Sequence, residues 1–317
     1  MPSPAHTFEQ ALARLGVDPD ASPLLETIYA PLASWLADLH RHHDRPIIIG
    51  VNGAQGSGKS TFCSLLTPLL HAAHDLRAVT ISIDDVYHTR ATRLEMAQTV
   101  HPLCGIRGVP GTHDVNLTHT LLDQLTIEGL VERVAIPRFD KSVDDRRPRA
   151  EWEVIEGTVD VILFEGWCVG CPDLPDWTDP CNAREAADDP EGVWVRWSIE
   201  RLRRTYRALF DRLDALIMIE VPSMETVRRG RWLQEQRLWE ACGLEPNATD
   251  HPPGLMNQAA VHEYVALFER YTTHMLAALP EHADALIALR DGFSYEPKRI
   301  PSAYEGAPRS TGPQPTP

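Results

Sequence analysis

One stretch restricts the fold of this chain more than any other. The apolar run Pro46-Ile-Ile-Ile-Gly-Val51 passes at once into the turn Gly53-Ala-Gln-Gly-Ser-Gly-Lys59-Ser60, and then into a helix with apolar periodicity at Phe62, Leu65, Leu66, Leu69 and Leu70. A short β-branched run of this kind is the signature of a strand buried on both faces of a parallel sheet. The turn fits G-x-x-x-x-G-K-[ST] without a mismatch. Its chemistry explains its spacing: small residues let successive backbone N–H groups converge on phosphates, the lysine reaches the β- and γ-oxygens, and the Ser hydroxyl ligates Mg²⁺. Gly53, Ala54, Gln55, Gly56, Ser57, Gly58, Lys59, Ser60 and the following Thr61 are therefore the expected ATP-binding residues, with Ser60 on the metal.

Runs of the same type recur at Ala78–Ile83, Val159–Phe164, Leu213–Ile219 and Ala283–Leu289, with a shorter one at Arg133–Ile136. Helical patterns lie between them near Val115–Ile127, Ile199–Arg212, Met224–Cys242 and Leu255–Leu279. Strands alternating with helices predict an α/β fold with a doubly wound, mostly parallel sheet. Before the first strand, Leu24, Leu25, Ile28, Leu32, Trp35, Leu36 and Leu39 recur at helical spacing, with Pro23 and Pro31 as punctuation. We expect residues 1–45 to be a helical extension, 46–300 the main domain, and 301–317, rich in Pro, Ser, Gly and Thr, a disordered tail.

In an open parallel sheet ligands sit beyond the C-terminal strand ends, and that rule sorts the acids. Asp84 and Asp85 follow the strand ending at Ile83, and Glu165 follows Phe164, all on the edge that carries the glycine turn. Phosphoryl transfer to a hydroxyl needs one carboxylate to orient the attacking oxygen and accept its proton, and another in the metal shell. Asp84 is the candidate for the first role and Glu165 for the second; a turn or N-cap is the structural alternative for each. Asp160, Asp214 and Asp284 stand at strand beginnings and read as solvated starts.

Two polar loops follow. Arg107-Gly-Val-Pro-Gly-Thr-His113-Asp114 delivers Arg and His just before a helix that Asp114 can cap. Pro137-Arg-Phe-Asp-Lys-Ser-Val-Asp-Asp-Arg-Arg147 leaves the short strand with Arg138, Lys141 and Arg146, which can pair with an anionic substrate or stay solvated. Arg228, Arg229, Arg231 and Arg237 cluster on one predicted helix. That helix is either a lid over ATP or an exposed helix tied by ion pairs to Glu225, Glu235 and Glu240.

Composition narrows the partners. Asp and Glu number 45 against 30 Lys and Arg, a net charge of −15, so a polyanion such as nucleic acid is an unexpected partner. No run approaches the ~18 apolar residues of a membrane helix, and the N-terminus has no basic stretch before an apolar one. A soluble cytoplasmic protein is expected. Six irregularly spaced cysteines suit reduced thiols; Cys168, Cys171 and Cys181 lack the fourth ligand that zinc requires.

Taken together, G-V-N-G-A-Q-G-S-G-K-S-T-F, S-I-D-D-V-Y-H-T, R-G-V-P-G-T-H-D, I-P-R-F-D-K-S and V-I-L-F-E-G-W-C-V-G resemble the D-glycerate 3-kinases of plants, fungi and bacteria. These are P-loop kinases related to uridine kinase, phosphoribulokinase and pantothenate kinase, and the similarity spans roughly Ile47 to Ile300. The resemblance implies a P-loop kinase fold with a helical lid, Asp84 as base, Glu165 near Mg²⁺, and Arg231, ahead of Gln234-Glu235, as the lid arginine. It implies acceptor contacts at Arg107, His113, Arg138, Asp140 and Lys141, and Tyr87 and His88, beside the base, are expected to bind substrate too. The implied reaction is transfer from Mg·ATP to D-glycerate, giving 3-phosphoglycerate. A nucleoside, a pantothenate-like acid or another sugar acid remains open as acceptor, as does a non-catalytic, ATP-binding regulatory protein. A guanine-nucleotide switch is disfavoured, since no N-K-x-D motif is present. The acidic, Trp- and Pro-rich stretch Cys171–Trp197 departs from the family pattern.

Overall fold

The computed structural model describes residues 2–127, 133–246, 248, 251–252, 254–290 and 294–302. Its strands are β1 (Ile47–Gly53), β2 (Ala78–Ser82), β3 (Arg133–Ile136), β4 (Phe139–Asp140), β5 (Asp145–Arg146), β6 (Glu153–Glu156), β7 (Val161–Gly166), β8 (Ala215–Glu220), β9 (Ala285–Leu289) and β10 (Tyr295–Arg299). Its α-helices are α1 (Pro4–Leu15), α2 (Ala30–Arg41), α3 (Lys59–His74), α4 (Arg90–Thr99), α5 (Val115–Leu125), α6 (Ala183–Asp188), α7 (Val193–Arg201), α8 (Arg207–Phe210), α9 (Met224–Ala241), α10 (Gln258–Ala266) and α11 (Glu269–His282).

Six strands form one sheet in the order β10-β9-β8-β1-β7-β2, parallel except where β10 runs against β9. Side chains alternate between two cores: Ile48, Ile162, Phe164, Leu216 and Met218 face one, and Ile47, Ile49, Val51, Leu163, Ile217 and Ile219 the other. Both faces are covered, which is why these strands read as unbroken apolar runs. The chain is thus a doubly wound α/β protein of the expected class.

Three local readings change, and two strands, β6 and β10, are additional. The run Arg133–Ile136 is a strand, but it pairs with β6 in a separate antiparallel ribbon instead of joining the parallel sheet. Its partner Glu153-Val-Ile-Glu156 carries two exposed acids that hide a strand pattern. The edge strand β10, Tyr-Glu-Pro-Lys-Arg, is polar and holds a proline, a residue that only an edge tolerates. The long helical stretch Leu255–Leu279 resolves into α10 and α11. Finally, Asp160, Asp214 and Asp284 are more than solvated strand starts: their Oδ2 atoms accept the backbone N–H of Arg77 (2.7 Å), Ile48 (2.8 Å) and Leu216 (2.7 Å). Each ties the start of its own strand to a neighbour, so the acids at this edge are structural.

Helices α1 and α2 pack on α3, and Tyr29, in the turn before α2, lies against Phe8 of α1 (ring centroids 5.0 Å) and Phe62 of α3 (5.1 Å). Among the described residues no helix is long and apolar enough to cross a membrane, and all six cysteines are free thiols. The expected tail, from residue 303 onward, lies outside the described residues.

Candidate active site

The loop after β1 is shaped by one close approach. Gly56 has φ +72°, and a Cβ there would lie 2.2 Å from the carbonyl carbon of Gly230 in α9. Only glycine permits both the backbone angle and the contact, so the loop runs directly against the backbone of the arginine-rich helix. Tyr295 donates its hydroxyl to the Ser57 carbonyl (2.9 Å), and Lys59 Nζ donates to the Ala54 carbonyl (3.1 Å). Burial pulls the Lys59 ammonium below its ordinary pKa, against the opposing pull of Glu165 and Asp84. An anion in the loop would offset that penalty.

The next two strands toward the β2 edge bring the acids. Glu165, buried in β7, accepts a hydrogen bond from Ser60 Oγ (2.8 Å). Asp84 sits in a 3₁₀ turn, Ile83–Val86, directly after β2. Its Oδ2 meets Lys141 Nζ at 2.7 Å, and its Oδ1 accepts from the Tyr87 hydroxyl at 2.9 Å. Burial alone would raise the Asp84 pKa; Lys141, by charge and hydrogen bond, then His113 and Lys59, override it and hold the carboxyl well below its usual range. Asp85 has the other task. It accepts from Arg138 Nη1 (2.9 Å) and the Phe139 amide (3.1 Å), anchoring the loop that delivers Lys141.

A cavity of about 720 Å³ gathers Gln55 to Thr61, Asp84, Tyr87, Arg107, Lys141, Glu165 and Arg231 along its wall. Gly53, the last residue of β1, and the buried Ala54 are not on that wall. Arg107 is 7% exposed, pairs with Asp144, and lies over the Phe139 ring at 5.8 Å. Arg231 is buried, pairs with Glu235 (2.7 Å) and lies over the Tyr264 ring (5.5 Å). Helix α9 is thus tied by an internal ion pair and also lines the cavity.

The remaining expected substrate residues stand behind this wall. His113 is buried, stacks on Tyr87 (4.4 Å) and meets the Tyr206 hydroxyl through Nδ1 (2.6 Å); burial pushes its pKa down to about 3, so it is neutral. The His88 amide donates to the Thr112 carbonyl (2.9 Å), and burial lowers its imidazole pKa. Arg138 bridges Asp85 and Glu153, and Asp140 holds Ser142 and Arg147. The Cys171–Trp197 stretch and the start of α7 buttress the first loop: Trp197 packs on Gly111, and Ser198 Oγ donates to the Pro110 carbonyl (2.8 Å). Sequence reasoning missed Tyr264 and Tyr295. Each lies in an element whose apolar pattern or polarity advertised packing or surface, and nothing local marks either as a cavity residue.

No family model matches the chain. Its relatives are more informative. A kinase of Schizosaccharomyces pombe, the uncharacterized kinase mug58, is 34% identical over 224 residues, which cover 68% of this chain and 79% of the relative. The chloroplastic D-glycerate 3-kinase of Arabidopsis thaliana is 28% identical over 277 residues, covering 81% of this chain and 56% of that longer protein. The chain belongs to the D-glycerate 3-kinase family of P-loop kinases. In fold, it superposes on the solved D-glycerate 3-kinase of Cryptococcus neoformans with a TM-score of 0.66 and 23% identity, covering 85% of this chain and 99% of that one. It is an ATP-dependent small-molecule kinase that phosphorylates a hydroxyl group.

Proposed function

We propose that the chain transfers the γ-phosphoryl group of Mg·ATP to the primary hydroxyl of D-glycerate, giving 3-phosphoglycerate and ADP. The observation that carries this reading is the pairing of Asp84 with Lys141 at 2.7 Å on the same cavity wall as Lys59, Ser60 and Glu165. An acceptor with a carboxylate near its reacting hydroxyl has both halves answered there. Its carboxylate competes with Asp84 for Lys141, beside Arg107, and its hydroxyl meets the Asp84 carboxylate. As the bond from the acceptor oxygen to the γ-phosphorus forms, the bond to the β–γ bridging oxygen breaks. The hydroxyl proton passes to Asp84 and ADP leaves.

Asp84, held as a carboxylate, acts mainly by orienting the hydroxyl, because a strongly depressed pKa makes it a weak base until Lys141 turns to the substrate. Lys59 holds the β- and γ-oxygens, and Arg231 answers charge that develops on the transferring group. Ser60 Oγ and the Glu165 carboxylate, 2.8 Å apart, are the hard oxygen donors that suit Mg²⁺, which needs few protein ligands when phosphates supply others. When bound, the metal neutralises phosphate charge.

ADP release measured against D-glycerate, glycerol, nucleosides and pantothenate tests the assignment. D-glycerate should turn over well above glycerol, which has the same hydroxyl and no carboxylate, and Lys141→Met should narrow that gap about tenfold or more. Turnover of another acceptor with none of D-glycerate would refute the substrate and keep the kinase.

A further inference from the structure

Helix α9 and the loop that carries Lys141 are joined by a short strap, residues 254–256, that the transfer chemistry leaves unused. Glu235 of α9 is fully buried, and each of its oxygens has one task. Its Oε2 pairs with Arg231 Nη1 (2.7 Å), and its Oε1 accepts the backbone N–H of Met256 (2.7 Å). One turn further along the helix, Trp239 Nε1 donates to the Met256 carbonyl (3.0 Å). Both backbone polar groups of Met256 are thus held by the helix that carries Arg231.

Two residues earlier the strap meets the Lys141 loop. The Gly254 amide donates to the Ser142 carbonyl (2.9 Å), and a Cβ at Gly254 would lie 2.6 Å from that oxygen and closer still to the carbonyl oxygen of Lys141. Only a residue without a side chain fits there. A second tie runs beside the first: Tyr264 of α10, whose ring lies against Arg231, donates its hydroxyl to the Arg107 carbonyl (3.1 Å), and Arg107 pairs with Asp144 of the same loop. Toward the start of α9, Gly230 abuts Gly56 of the phosphate loop. Contacts therefore run without a gap from the phosphate loop to the backbone of Lys141.

Resting on the acceptor reading above, we propose that Glu235 is a positioning residue that acts through Met256 and Gly254 on the Lys141 loop, so that Mg·ATP and the acceptor bind with positive coupling. An anion that draws on Arg231 shifts a carboxylate already committed to the Met256 amide, and closely packed contacts of this kind pass such a shift on. The strap carries it to Lys141, the cation that answers the acceptor's carboxylate. By linkage, the acceptor tightens nucleotide binding by the same factor.

Affinity for a non-hydrolysable Mg·ATP analogue is titrated without and with saturating D-glycerate, whose own binding is measured alone, for wild type, Gly254→Ala and Glu235→Gln. Wild type should bind the analogue about fivefold or more tightly when D-glycerate is present. Gly254→Ala parts the strap from the loop and keeps every side chain of the cavity; Glu235→Gln keeps an oxygen for Met256 and loses the charge that faces Arg231. In both, the ratio of the two affinities should fall to within about twofold of one. Thermal midpoints check folding, and Glu235→Gln decides alone if Gly254→Ala does not fold. A purely structural role would weaken each ligand separately and keep the ratio. A wild-type ratio near one, or variants that keep the wild-type ratio, overturns the proposal. A wild type that binds the analogue but no D-glycerate removes the acceptor reading, and the coupling with it, while the phosphate loop stands.

Discussion

Replacing Asp84 by Asn separates orientation of the acceptor from every other task in the cavity. The amide keeps the size of the side chain and an oxygen for the Tyr87 hydroxyl, now 2.9 Å away. It loses the negative charge that faces Lys141 at 2.7 Å and the acceptor hydroxyl. Two magnitudes decide what is seen. The Asp84–Lys141 pair is partly exposed, with side chains 29% and 26% accessible, so its loss should cost the fold about 1 kcal/mol or less. A positioned acid–base group is worth about 10²–10⁴-fold in rate, roughly 2.7–5.5 kcal/mol in the barrier. Catalysis should therefore collapse in a protein that remains folded. Steady-state ADP release would report kcat, calorimetric titration would report Mg·ATP affinity, and thermal unfolding would report stability. A variant with kcat within fivefold of wild type, or one that loses ATP affinity in step with kcat, would refute the role given to Asp84.

Two further perturbations address the frame around the site. Gly230→Ala puts a Cβ 2.7 Å from the Gly56 carbonyl oxygen, where backbone must give way; overpacking of this kind costs about 1–3 kcal/mol, so KM for ATP should rise about tenfold as α9 lifts from the loop, and an unchanged KM would contradict the contact. His113 links stability to pH. Its folded pKa of about 3 lies below the ordinary 6.5, so the unfolded chain binds the extra proton, and stability is full above pH 6.5 and lost as pH falls toward 3. Denaturant unfolding of wild type against His113→Gln should show the wild-type advantage shrinking by about 1.4 kcal/mol per pH unit below 6.5; parallel curves would mean that the imidazole is not held neutral.

What could be read from the sequence was what local chemistry enforces. The loop from Gly53 to Ser60 and the apolar strands beside it are dictated by backbone approach to phosphate and by burial on both faces, so their residues announce them. Asp84 and Glu165 were found through a rule of topology, since ligands gather at C-terminal strand ends, and the structure brings both to one cavity wall. Harder to read was the division of labour between neighbours. Asp84 and Asp85 are indistinguishable in sequence, yet one faces Lys141 and the other anchors Arg138 and Phe139. That choice depends on a loop more than fifty residues away. Tyr264 and Tyr295 were unreadable for the same reason: their meeting at the cavity is set by packing between distant elements. The acids at the opposite edge were misjudged because a carboxylate that accepts a neighbouring strand's amide looks, in sequence, like one facing water.

The most direct measurement follows phosphorus itself. In a ³¹P NMR time course of the protein with Mg·ATP and D-glycerate, a phosphomonoester on the C3 oxygen should grow in step with ADP, and Lys59→Met should abolish both signals. Nucleotide that binds and stays intact beside unmodified D-glycerate, while another alcohol in the same mixture is phosphorylated, would contradict the account.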